Sequence, residues 1–154
     1  MKQQSLMITS PAFEAEGIIP AQYTCDGAEV SPPLHIEQIP DGAASLAMKV
    51  EDPDAPGGTF IHWLVWNINP AADIEAGALP GISGKNSAGK TGYHGPCPPS
   101  GRHRYYFHIY ALDAKLELPA GAEAEEFEHA LEGHVIAEGS IMGYYERGKQ
   151  QTQA

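Results

Sequence analysis

Residues 51–68 read EDPDAPGGTFIHWLVWNI and carry the first groups able to do chemistry. Asp52 and Asp54 sit among Pro53 and Pro56, and His62 follows inside an aromatic and aliphatic run. The prolines fix their own φ and hold the preceding residues, Asp52 and Ala55, extended, so this loop would present a carboxylate in one place. The plainer reading of the pair is an ordinary turn with a capping Asp. For His62 it is a hydrogen-bonded core imidazole. A second stretch, YHGPCPPSGRHRYYF (93–107), supplies a proline-rich loop and then a strand. The N–H groups of Gly95 and Cys97 could face an anion. His103 and Tyr105 would share one strand face, with Arg104 on the other. Carboxylate, imidazole, phenol and loop N–H together suit hydrogen-bonded capture of a small oxyanion. The same set suits general acid–base work on an ester.

These groups need strands to hold them. Residues 45–51 (SLAMKVE), 60–68 and 104–112 (RYYFHIYAL) read as strands, and the last two are apolar on both parities, as buried strands are. Residues 139–146 (GSIMGYYE) show a less regular strand pattern. Asp52 shares the parity of Leu46, Met48 and Val50, which puts it at the end of an inward row. His62 shares the parity of Phe60, Leu64 and Trp66. One helix is expected over 123–134, where Phe127, Ala130, Leu131 and His134 recur on one face and acidic residues fill the first turn. Gly133 should break or bend it. Strands and helices do not alternate, so the class is mainly β with a late helix. The 154 residues favour a single domain, 1–154.

With 9 basic and 20 acidic residues the net charge is −11. Such a surface repels nucleic acid and anionic membrane. No apolar run approaches the roughly 18 residues of a membrane span, so no membrane insertion is expected. The N-terminus lacks an apolar leader region, and a cytoplasmic location is expected. Cys25 and Cys97 are then expected to be thiols. GKNSAGKT (84–91) matches the phosphate-loop pattern. It lacks the feeding strand and following helix that make that pattern work, and reads as a surface loop.

His62, His94, His103, Cys97 and Asp52 are all permissible zinc ligands, but no ligand-type spacing links them, so neither metal nor cofactor is expected. No G-x-S-x-G elbow occurs, and Cys97 lies between prolines rather than at a helix start, so no catalytic nucleophile is assigned. A non-enzymatic binding module is the leading reading. The alternative is a hydrolase of a small phosphoester or ester, using Asp52 with His62 or His103. A homodimer burying Trp63, Trp66 or Tyr144 is a further reading.

Taken together, DPDAP (52–56), HWLVWN (62–67), GPCPPSG (95–101) and HRYYFHIYALD (103–113) resemble the phosphatidylethanolamine-binding protein family. The closer likeness is to its bacterial and archaeal Raf kinase inhibitor-like branch. CDGAEVSPPL (25–34), GHVIAEG (133–139) and GYYER (143–147) extend the match over almost the whole chain. The resemblance implies an antiparallel Greek-key β-sandwich with short helical segments near the C-terminus. It implies a pocket for phosphate, acetate, cacodylate or a phosphoethanolamine headgroup. Carried onto this sequence, Asp52 is the pocket acid and Asp54 supports its loop. His62, Cys97, Pro98, Pro99, His103 and Tyr105 complete the ligand-binding set. It also implies a small anionic or phosphorylated ligand and a regulated protein partner. Unlike eukaryotic members, this chain has only 57–61 between the acidic loop and His62, and shows no helix pattern in GYYERGKQQTQA.

Overall fold

The computed structural model describes residues 4–147. Residues 1–3 and 148–154, where neither a leader nor a closing helix is expected, lie outside the described residues. In chain order the elements are β1 (Gln4–Ser5), β2 (Met7–Thr9), β3 (Leu34–Glu37), β4 (Ser45–Asp52), β5 (Phe60–Ile68), β6 (Asp73–Ile74), β7 (Ile82–Ser83), β8 (His103–Leu112), α1 (Ala124–Leu131) and β9 (Val135–Tyr145). They form a six-stranded sheet, β1-β9-β8-β4-β5-β7, and a three-stranded sheet, β2-β3-β6. The fold is mainly β, as expected. One pair, β1 with β9, runs parallel, in contrast to the antiparallel ladders between the other strands.

The principal core lies between the sheets. Ile8, Leu34, Ile36 and Ile74 of the small sheet meet Leu46, Met48, Val50, Val65, Phe107 and Ile109 of the large one. A second core covers the opposite face of the large sheet. There Ala47, Leu64, Trp66 and Leu112 pack under Phe127 and Leu131 of α1. Central strand β5 is therefore apolar on both parities because it is covered from both sides. Strand β8 is not: Arg104, Tyr106 and His108 on its outer parity are only half-buried, and Tyr110 on the same parity packs beside Phe127.

Helix α1 is shorter than its pattern suggests. It ends at Leu131, and Gly133 adopts φ of +80°, the left-handed turn that terminates it and leads into β9. A reciprocal pair of hydrogen bonds between Glu123 and Glu126 caps its start. Strand β9 begins at Val135, before the 139–146 stretch with the recognisable pattern, because ten residue pairs with β8 carry it.

The phosphate-loop look-alike has no free cradle. Asn86 Oδ1 accepts the N–H groups of Ala88 and Lys90. The N–H of Gly89 goes to the Asn86 carbonyl, and that of Ser87 to Ile61. The N–H groups of residues 87–90 are thus already engaged, by Asn86 and by Ile61 of β5.

A further difference concerns His62. Along β4 and β5, Val50 pairs with Trp63 and Glu51 with Ile61, so His62 is the extra residue of a bulge. A bulge re-aims the side chains around it. Phe60 and His62 line a cavity on one side, while Leu64 and Trp66 face α1. Simple alternation would have put all four on one face. A second irregularity lies between Leu46 and Met48, opposite Asn67, whose φ is +56°. The Asn67 side chain holds Leu116 through both its N–H and its carbonyl.

Cys25 and Cys97 are not thiols. They form a disulfide, with Cα atoms 5.4 Å apart across a sequence separation of 72. The pairing follows from the docking of two loops, since Cys25 N–H donates to the Pro96 carbonyl at 3.1 Å. The homodimer reading loses two of its anchors: Trp63 and Trp66 are 2% and 0% exposed within the chain's own cores.

Candidate functional site

Strand ends β4, β5 and β8 and the loop before β8 enclose a cavity of about 190 Å³. Its walls are Asp52, Ala55, Pro56, Phe60, His62, His94, Cys97, Pro98, Pro99, His103 and Tyr105. Seven of the eight residues singled out from the sequence converge there. The eighth, Asp54, is absent from the walls. Its carboxylate grips Arg104 instead, accepting Nη2–H at 2.8 Å, Nε–H at 3.0 Å and the main-chain N–H at 2.9 Å. These bonds hold Asp54 down to about pKa 2 and tie the acidic loop to the start of β8.

Asp52 is 3% exposed. An isolated carboxylate there would be costly, and two donors satisfy it. Oδ2 accepts His103 Nδ1–H at 2.6 Å, and Oδ1 accepts the Asp54 N–H at 2.7 Å. The bond to Asp52 aims His103 Nε2 away from the carboxylate. His62 donates Nδ1–H to the His94 carbonyl at 2.6 Å, while the His94 N–H donates to the His62 carbonyl at 2.9 Å. A carbonyl can only accept, so the tautomer is set and Nε2 is left for the cavity. Burial drives the His62 pKa down to about 4, against the upward pull of the His94 carbonyl, so the imidazole is held neutral.

The Tyr105 ring lies edge-on to His62, centroids 5.3 Å apart, and stacks on His103 at 6.3 Å. Its Oη is buried and makes no hydrogen bond of normal geometry among the described residues, although the Asp52 carboxylate lies close to it. Burial, then the nearby Asp52 charge, pushes the phenol far above its ordinary pKa, so it stays a donor at any ordinary pH. Buried hydroxyls without partners are rare in folded proteins, and an unfilled one points to a ligand or water.

The proline loop differs from the sequence reading in one donor. Gly95 N–H is taken by Glu29 Oε2 at 2.9 Å and is not offered to an anion. Phe60, His94, Ala55 and Pro56 complete the cavity without having been singled out as pocket residues. Phe60 had a usable signal, since it precedes His62 by two positions on the same strand. His94 had none. Its ring joins Phe60 and His62 at 5.5 and 5.7 Å only because the loop folds back along β5.

The fold is mainly β, and one acid, three imidazoles and a buried phenol surround the cavity at its strand ends. Comparison with known proteins places it. Residues 9–146 match the model of the family described as Phosphatidylethanolamine-binding protein. The chain is 46% identical over 155 residues to a UPF0098 protein of Pyrococcus abyssi, covering 94% of this chain and 87% of that one. It is 47% identical over 145 residues to a UPF0098 protein of Methanothermobacter thermautotrophicus, covering 89% and 96%. Among solved structures, a phosphatidylethanolamine-binding protein homologue from Chlamydia trachomatis superposes with a TM-score of 0.90 at 42% identity, over 94% of this chain and 99% of that one. YbcL of E. coli, described as a member of the mammalian PEBP family, gives 0.84 at 28% identity over 92% and 98%. The chain belongs to the phosphatidylethanolamine-binding protein family.

Proposed function

We propose that this protein binds small phosphate monoesters and related oxyanions in the Asp52–His62–His103–Tyr105 pocket. The observation that carries this reading is the buried, unpartnered Tyr105 Oη beside the unused Nε2 of His62. At about 30 Å³ per water, the 190 Å³ cavity has room for a phosphoryl group and a short substituent. Asp52 does not defeat anion binding, because two donors already engage its charge. It could also receive the ammonium of an ethanolamine substituent, which the family's name suggests. Calorimetry with inorganic phosphate and O-phosphoethanolamine tests the reading. Wild-type protein should bind both, and Tyr105→Phe should weaken both about tenfold, the net worth of one hydrogen bond of about 1.4 kcal/mol. No binding at millimolar ligand would reject it.

One observation favours hydrolysis as a second reading. The Asp52–His103 bond orients an imidazole as a carboxylate does in acid–base dyads. A panel of small phosphoesters and esters, assayed with wild type and His103→Gln, decides it: turnover absent from both leaves binding alone. The Cys25–Cys97 bond weighs against the cytoplasmic expectation, because disulfides persist in oxidising compartments and are rare in reducing cytosol.

A further inference from the structure

Every anchor that the structure gives the 95–97 wall lands on one short segment, 25–29. Gly95 N–H reaches Glu29 Oε2, the Pro96 carbonyl accepts Cys25 N–H, and Cys97 is bonded to Cys25. Beyond Cys97 come Pro98 and Pro99, which line the cavity and have no N–H with which to tie themselves down. The partner segment is held independently of the disulfide. Thr24 is fully buried, Tyr145 Oη donates to Asp26 at 2.5 Å, and Tyr93 Oη donates to the Tyr23 carbonyl at 2.7 Å. Both cysteines are half-buried rather than enclosed in a core. One covalent bond thus joins this platform to the pocket wall, and one of its sulfurs belongs to a residue that lines the cavity.

We propose that the Cys25–Cys97 disulfide is a redox clamp on the pocket: a dithiol reductant opens it, the Cys97–Pro99 wall loosens, and oxyanion affinity falls while the fold persists. The inference rests on the anion-binding reading above. The chemistry balances as thiol–disulfide exchange. A reductant thiolate attacks one sulfur and displaces the other cysteine as thiolate. The reductant's second thiol then resolves the mixed disulfide, leaving two cysteine thiols and one oxidised dithiol. The protein gains two electrons and two protons, all from the reductant and solvent. Affinity falls because a wall that is correctly placed only part of the time lowers apparent affinity by that fraction. A wall in place about one time in ten gives about a tenfold loss.

The test measures inorganic phosphate binding by calorimetry for the oxidised protein, the dithiothreitol-reduced protein and the reoxidised protein. Cys25→Ser is included because it removes the bridge without touching a cavity-lining atom. Support is a roughly tenfold loss on reduction, recovery on reoxidation, and a Cys25→Ser variant that is weak in both conditions. Equal affinity in oxidised and reduced protein overturns the clamp and leaves the pocket reading standing. Global unfolding on reduction, seen by circular dichroism, also overturns it, since the bond would then be a structural staple. If oxidised protein binds no phosphate, the pocket reading fails, and amide exchange of His94, Gly95 and Cys97 judges the clamp separately. Faster exchange on reduction supports a loosened wall; unchanged exchange rejects it.

Discussion

Binding of a phosphate monoester above its second pKa should draw one proton from solvent, and His62 is the reason. Its Nδ1–H is committed to the His94 carbonyl, so the cavity-facing Nε2 of the neutral ring carries a lone pair. A dianion set against that lone pair is repelled. Burial holds the ring's pKa at about 4, so at pH 7 the neutral form is favoured by 7 − 4 = 3 units, about 4 kcal/mol at 1.36 kcal/mol per unit. A complex would overcome this by keeping one proton between Nε2 and a phosphoryl oxygen. Whether that proton is drawn on the imidazole or on the phosphate, the count is the same. Monoester phosphates have a second pKa of about 6. Above it the proton comes from solvent, and log affinity should fall by about one per pH unit between about 6.5 and 8. Below about 6 the ligand already carries the proton and the slope should flatten. Calorimetry at a pH of about 7.5, in two buffers of different ionisation heat, reads the uptake directly. His62→Gln replaces the lone pair by an amide that can donate unaided, so its binding should lose the slope. Zero uptake by wild type would refute the reasoning. An unchanged slope in His62→Gln would move the proton to another imidazole, His103 or His94.

The same ring predicts an acid limb in stability. An unperturbed histidine has a pKa of 6.5 and the folded His62 about 4, so the unfolded chain protonates first and stability is lost as pH falls through this window. The difference, 6.5 − 4 = 2.5 units, amounts to about 3 kcal/mol. The exposed His35, raised by Asp73 and Glu37, acts oppositely, its contribution being lost as pH rises. Denaturant midpoints of wild type minus His62→Gln across that range therefore isolate the effect; parallel curves would contradict it. Tyr105→Phe should leave the empty protein as stable as wild type or slightly more so, because the removed hydroxyl has no partner to lose. A melting temperature lowered by several degrees would mean that the phenol is a structural group. A Cβ on Gly95 would lie 2.8 Å from Glu29 Cγ and 2.9 Å from the Tyr23 carbonyl oxygen. Gly95→Ala should thus cost about 1–3 kcal/mol by overpacking; an unchanged midpoint in chemical denaturation would show that the two loops can part freely.

Local pattern alone carried much of this protein. Period-two alternation placed Asp52 at the end of the Leu46–Met48–Val50 row and put His103 and Tyr105 on one face, because a strand's side chains obey that period wherever the strand is regular. The 3.6-residue spacing of Phe127 and Leu131 announced α1 for the same reason. What the tertiary structure alone decided lies where regularity stops or where partners are remote. The bulge at His62 depends on how β4 and β5 align, which no property of the β5 residues states. The Cys25–Cys97 bond, the Glu29–Gly95 contact and the Asp54–Arg104 fork join positions 72, 66 and 50 residues apart. Such contacts arise from the packing of whole elements, and a side chain's neighbours along the chain do not record them. The pocket's chemistry is therefore written in residue types, while its tautomers, its charge state and the hold on its wall are set by the fold.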